Sequence, residues 1–197
     1  MGEEMIALDR REAVVRLLAR RSPDLLVVTG LGSPAYDVMA AGDDDRNFYL
    51  WGAMGGAAMV GLGLARAQPQ KSVLVVTGDA EAMMGLGALA TIAVQKPVNL
   101  TIAVLDNGHF GETGMQASHT GMGVELDRVA ASMGFGWTES ISDLASVDAL
   151  HNRIGARAGA GLAVLKIRAE NPPRVLPPRD GVHLKNRFRA ALGFPTN

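Results

Sequence analysis

Six short apolar runs punctuate the chain, and between them apolar positions return at the three- and four-residue spacing of helices. The run Ser72-Val-Leu-Val-Val76 is β-branched and free of charge, the form of a strand covered on both faces in a parallel sheet. Residues 24–29, 47–51, 99–105, 136–139 and 162–168 read as the other strands. Residues 9–21 set Ala13, Val14, Leu17 and Leu18 on one helical face with arginines on the other, which predicts an amphipathic surface helix that packs on the sheet and does no chemistry. Residues 51–66 read as a loop running into a helix with a small residue at most turns, residues 124–134 and 142–158 as further helices. Strand and helix alternate, so the expected fold is α/β: a doubly wound, mostly parallel six-stranded sheet with helices on both faces.

The polar residues that end these runs carry the candidate chemistry. Ser72–Val76 runs into Thr77-Gly78-Asp79, where a helix begins, and the strand over 99–105 runs into Asp106-Asn107. Open α/β sheets bind ligands in the crevice beyond the carboxyl ends of their strands. If these two strands are neighbours, Asp79 and Asn107 converge, and with a backbone carbonyl and phosphate oxygens they suit an octahedral Mg²⁺. Gly108, Gly111 and Gly114 add backbone N–H groups for a diphosphate. The plainer reading is that Asp79 caps a helix and Asn107 sits in a turn. Gly30-Leu-Gly-Ser-Pro-Ala35 satisfies G-x-G-x-x-A, but Pro34 in its middle and the lack of a strand-ending acid at the required spacing exclude a dinucleotide site. Asp43-Asp44-Asp45 reads as a solvated turn.

Composition narrows the class. The 197 residues with a net charge of −1 fit one α/β domain acting on small molecules, with neither nucleic acid nor membrane as partner. Without cysteine there is no disulfide, thiolate nucleophile or cysteine metal site. The amino end lacks the form of a signal peptide, so a cytoplasmic location is expected. There are 24 Gly and 10 Met, so helices approach closely and Met fills the gaps, which also suits subunit interfaces.

Gly78-Asp79-Ala80 followed by Asp106-Asn107-Gly108 resembles the GDG…NN signature of thiamine-diphosphate enzymes. GLGSP, DRNFYLWGAMGGA, GALATIA and DNGHFGETGMQ extend the likeness over residues 25–120, to the small or carboxyl-terminal half of sulfopyruvate and phosphonopyruvate decarboxylases. The resemblance implies that the Asp79 carboxylate, the Asn107 side chain and the His109 carbonyl hold Mg²⁺. It further implies that the Gly52 carbonyl and the Met54 amide meet the aminopyrimidine, with Met54 as the apolar wedge, and that Ala53, Gly78, Asp79, Ala80, Glu81, Asn107, His109, Phe110 and Gly111 also bind thiamine diphosphate. Glu81 also suits the first helical turn, where the macrodipole favours an acid, and Met54 could equally be core filler. Ala80 and Asp106 depart from the signature, which has glycine and asparagine there.

In that family the acid that activates the pyrimidine comes from a second domain, of which this chain holds no copy. The resemblance therefore implies a pyrimidine-binding partner subunit, in a hetero-oligomer built on dimers of this chain, with a small 2-oxo acid as substrate. His109 and His119 are the residues able to move protons near neutral pH. A carboligase or oxidoreductase component of the same superfamily, and a non-catalytic scaffold that has lost cofactor, are the alternatives. Residues 1–170 form the cofactor-binding domain on this reading. Residues 171–197 are a Pro-rich basic tail, either a partner-binding arm or a loosely packed end.

Overall fold

The computed structural model describes residues 7–195. The first residues of the amino end, on which the expected absence of a leader partly rests, lie outside it. In chain order the elements are α1 (Arg10–Leu18), β1 (Leu25–Thr29), α2 (Ser33–Ala40), β2 (Asn47–Tyr49), α3 (Ala57–Ala67), β3 (Ser72–Gly78), α4 (Asp79–Met84) and α5 (Leu86–Gln95). There follow β4 (Leu100–Asp106), β5 (His109–Phe110), β6 (Gln116–Ala117), α6 (Leu126–Met133), β7 (Trp137–Ile141), α7 (Leu144–Ala156), β8 (Gly161–Lys166) and α8 (Gly181–Ala191).

Six strands form one sheet in the order β2-β1-β3-β4-β8-β7, every pair parallel. The charge-free runs are explained by burial on two sides. Leu74 and Val76 of β3 enter one core with Val14, Leu17, Val38 and Leu150. Val73 and Val75 enter the other with Leu62, Ile92 and Leu126. What Gly61 of α3 allows is close approach of a helix to the sheet: a Cβ there would stand 2.3 Å from Cγ2 of Val75 on β3. No helix among the described residues is long and apolar enough to cross a membrane.

The chain leaves β1 toward β2 and later returns to its other side as β3, so the crevice between the carboxyl ends of β1 and β3 is the switch point where such sheets take ligands. The expected helix after Asp79 is two helices, α4 and α5, broken at Gly85, whose added Cβ would stand 2.2 Å from the Gly55 carbonyl oxygen. The glycine-rich loop after β4 contains the short antiparallel ribbon β5–β6.

The tail is tied down at several points over its described residues. Arg11 Nη2 donates to the Pro173 carbonyl at 2.8 Å, and Trp51 Nε1 to the Pro178 carbonyl at 2.8 Å. Arg174 pairs with Glu112 at 2.8 Å. Helix α8, capped by Asp180, buries Leu184 in one core and Phe188 in the other, so it straddles the β2 edge of the sheet. This refines the reading of Asp43-Asp44-Asp45 as a solvated turn: Asp43 and Asp45 remain exposed residues, but the turn is tied down by ion pairs. Asp43 accepts from Tyr49 Oη at 2.9 Å and from Arg187 Nη1 at 2.7 Å, Asp44 pairs with Arg46 at 2.6 Å, and the Asp45 side chain is 72% exposed. The cation that holds Asp43 arrives from 144 positions away, which no local pattern shows.

Candidate functional site

Parallel register brings the two sequence signals together. Gly78 of β3 faces Leu105 of β4, so Asp79 stands level with Asp106 and one residue short of Asn107. Asp79 is 3% exposed. Its Oδ2 accepts from Ser118 Oγ at 2.5 Å and Thr120 Oγ1 at 2.9 Å. Burial pushes its carboxyl up, against the pull of those two hydroxyls, and the neighbouring Asp106 charge pushes the same way as burial. No Lys or Arg pairs with it among the described residues.

Ser118 and Thr120 escaped the sequence reading, which stopped at His119 between them. They reach Asp79 because the β5–β6 ribbon turns the chain back. Ser118 N donates to the Gly108 carbonyl at 2.8 Å, and the 3-10 turn Thr120–Met122 that follows passes so close that a Cβ on Gly121 would lie 2.3 Å from that oxygen. Alternating hydroxyls either side of His119 were the available signal. His119 itself is exposed and packs edge-on against Phe110, centroids 6.2 Å apart.

The departure at Asp106 is matched by its surroundings. Asp106 Oδ2 pairs with Lys166 Nζ at 2.5 Å, from the facing position on β8, and Oδ1 lies 2.7 Å from Thr120 Oγ1, whose single proton it shares with Asp79. The extra charge of Asp over Asn therefore meets a cation. Ala80 is equally at ease: it lies in helix α4 and is absent from the residues of positive φ, so the missing glycine brings no strain.

A cleft beyond the carboxyl ends of β3 and β4 brings together Met54, Ala80, Glu81, Asn107, His109, Phe110 and Gly111 of the expected set. Gly52, Ala53, Gly78, Asp79 and His119 do not line it. Asn107 Oδ1 accepts from His109 N at 2.9 Å, and the His109 carbonyl from Gly111 N at 3.1 Å; each oxygen keeps a second lone pair. His109 Nδ1 lies 2.7 Å from the Asn107 carbonyl. A carbonyl can only accept, so Nδ1 carries the proton and Nε2 is the basic nitrogen of the neutral ring. Met54 is 46% exposed, between residues of left-handed backbone. Glu81 is buried; its carboxylate takes Thr77 Oγ1 at 2.9 Å and Gly55 N at 3.3 Å, and burial pushes it up against those bonds.

The donor set is wholly oxygen: one buried carboxylate without a cationic partner, one amide and one peptide carbonyl. That chemistry fits a hard divalent cation. Among the described residues no group of three or more His, Cys, Asp or Glu side chains could hold a metal, so such side chains alone complete no site.

Comparison with known proteins agrees in kind. The family described as thiamine pyrophosphate enzyme, C-terminal TPP binding domain, matches residues 38–165. The chain is 40% identical over 137 residues to sulfopyruvate decarboxylase subunit beta of Methanothermobacter thermautotrophicus, covering 70% of this chain and 72% of that one. It is 38% identical over 192 residues to phosphonopyruvate decarboxylase of Streptomyces viridochromogenes, where it covers 94% of itself but spans only 47% of the relative. Its fold matches 4-hydroxybenzoylformate decarboxylase of Rhodococcus jostii with a TM-score of 0.70 at 18% identity, over 87% of this chain and 34% of that one.

Proposed function

Because the chain belongs to the thiamine pyrophosphate enzymes through their C-terminal TPP binding domain, we propose that it is the diphosphate- and Mg²⁺-binding subunit of a thiamine-diphosphate-dependent 2-oxo acid decarboxylase. The observation that carries this is Asp79: a buried carboxylate oriented by two hydroxyls, facing no cation, at the carboxyl end of a strand beside Asn107. Asp79, the Asn107 amide oxygen and the His109 carbonyl would hold the metal, and the cleft-lining backbone from Ala80 and Gly111 would meet the diphosphate. Bound thiamine diphosphate supplies the nucleophilic carbon and electron sink that loss of CO₂ from a 2-oxo acid requires.

The remaining roles follow from this chain's own groups. Ser118 and Thr120 fix the Asp79 rotamer, so its free oxygen is held ready for the metal. Met54 presents an apolar surface into the cleft. His109, with Nε2 basic, is the candidate to move a proton; His119 lies outside the cleft-lining set and is the weaker of the two.

The subunit is proposed to work with a pyrimidine-binding partner. Every buried acid among the described residues is committed: Asp37 to Arg10 and Arg11, Asp79 to Ser118 and Thr120, Glu81 to Thr77 and Gly55, Asp106 to Lys166 and Thr120. The subunit naming of the Methanothermobacter relative and the half-length match to the Streptomyces enzyme support the same division of labour. Exposed Met59, Met84 and Val94 on α3, α4 and α5 support an oligomer built on dimers. A cytoplasmic enzyme without nucleic-acid or membrane partners remains the reading.

The test is calorimetry on the assembled complex. Mg²⁺-dependent binding of thiamine diphosphate is expected, and Asp79→Ala abolishes it; binding retained in that variant would sink the assignment. Products from pyruvate-like substrates separate decarboxylation from carboligation. No observation favours a lapsed scaffold, since Ala80 and Asp106, the two departures that suggested one, are both accommodated.

A further inference from the structure

One buried carboxylate in the cleft is left without a task by these roles. Glu81 is 4% exposed and is held by Thr77 Oγ1 and the Gly55 amide, and the Leu31 amide also faces it. No Lys or Arg pairs with it among the described residues. Its seat is shaped to receive it: a Cβ on Gly30 would stand 1.6 Å from Glu81 Oε2. An ordinary acid in a first helical turn is solvated and needs no such vacancy beneath it.

The residue it reaches closes an unusual segment. Gly52, Ala53 and Gly55 have φ of 78°, 49° and 87°. An alanine in the left-handed region persists only where its surroundings impose it. Little else does so by hydrogen bonding. Gly56 N returns to the Ala53 carbonyl at 2.8 Å within the segment, and among the described residues Gly55 N to Glu81 is the one bond that carries an N–H of residues 52–55 to another element. Met54, which enters the cleft, sits between the left-handed Ala53 and the anchored Gly55.

We propose that Glu81 is a positioning residue for the 52–55 loop: its carboxylate, braced on β3 by Thr77, anchors Gly55 and so sets how far Met54 stands into the cleft. This rests on the cleft being a thiamine-diphosphate site, and it gives the Glu81 side chain a role toward the cofactor's rings rather than its phosphates. An apolar side chain whose height is wrong spoils contact with a flat organic ring, while a Mg²⁺-bound diphosphate, held by Asp79 and Asn107, is indifferent to it.

The complex of the full chain with its partner is titrated with Mg²⁺ and thiamine diphosphate, and separately with Mg²⁺ and inorganic pyrophosphate. Glu81→Ala removes the anchor. Gly30→Ala expels the carboxylate while leaving Glu81 in the chain, and Gly30 has no positive φ to forbid it. Both are expected to weaken thiamine diphosphate by about tenfold or more and pyrophosphate by less than about threefold. Glu81→Gln keeps an acceptor for the Gly55 amide and recovers most of the loss. Should Glu81→Ala fail to fold, Gly30→Ala and Glu81→Gln carry the comparison. The proposal is overturned if thiamine diphosphate affinity is unchanged in the folded variants, or if both ligands weaken in parallel, which would make Glu81 a support of the phosphates or of the fold at large. A parent complex that binds neither ligand overturns the functional reading itself, and that outcome is visible before any variant is made.

Discussion

Replacing Phe188 by Ala tests whether the carboxyl-terminal tail belongs to the folded body. Its side chain is 5% exposed, and its ring meets Phe48 of β2 at 5.7 Å between centroids with planes 74° apart. Truncating a buried Phe costs about 3–5 kcal/mol, of which an edge-to-face pair supplies roughly 0.5–1.5 kcal/mol. The position lies at the edge of the sheet, where α8 can shift to fill part of the void, so the lower end, about 3 kcal/mol, is expected. In a chain of this size each kcal/mol moves Tm by roughly 2–4 °C, giving a fall of about 6–12 °C. Calorimetric melting, with urea unfolding to check that m is unchanged, reads the effect. Val182→Ala on the same helix, at a residue 61% exposed, is the control and should stay within about 0.5 kcal/mol of the parent. If Phe188→Ala behaves like Val182→Ala, α8 contributes nothing to the core.

Thr120→Val removes hydroxyl contacts to both Asp79 and Asp106 and should weaken Mg²⁺ binding by about 10- to 100-fold in calorimetric titrations with thiamine diphosphate present; equal affinity would strike Thr120 from the metal's support. Lys166→Met strips Asp106 of its cation, and because Lys166 is a quarter exposed a loss of about 2 kcal/mol is expected in urea unfolding. Adding Asp106→Asn should return most of that loss, and a double variant no better than the single would refute the pairing. Arg46, hydrogen-bonded to Asp44, holds the Asp44 carboxyl down to about 2 from its ordinary 3.8. That stability is fully present above pH 3.8 and fades as pH falls toward 2, so the gap between parent and Asp44→Asn, measured by urea midpoints, should narrow on acidification; a gap constant with pH would contradict it.

The middle of the sheet was legible because its strands are buried on both faces: Val73 to Val76 alternate between two cores, so no polar residue interrupts the run. Asp79 and Asn107 were legible for the converse reason, as polar residues placed where such runs stop. Ser118 and Thr120 were not, since their nearness to Asp79 depends on the ribbon that folds the chain back onto Gly108. The same holds for Lys166, which meets Asp106 only through the pairing of β4 with β8. The tail misled by composition. It reads as a basic, Pro-rich end, yet Arg187 is turned inward to Asp43 and Arg179 lies over the Trp51 ring at 5.4 Å, while only Leu184 and Phe188 betray the buried side of α8.

That α8 straddles the β2 edge bears on how the protein is made. An uncovered strand edge with an apolar neighbour such as Phe48 invites pairing with other chains. Arg187 follows Asp43 by 144 positions, so during synthesis β2 leaves the ribosome long before its cover exists. Through that interval the nascent chain carries an open flank, and any truncation, stalled translation or proteolytic nick ahead of Gly181 makes the interval permanent. A chain without the last helix lacks Leu184 and Phe188, the two side chains that α8 adds to the cores beside β2, and leaves that edge open to association.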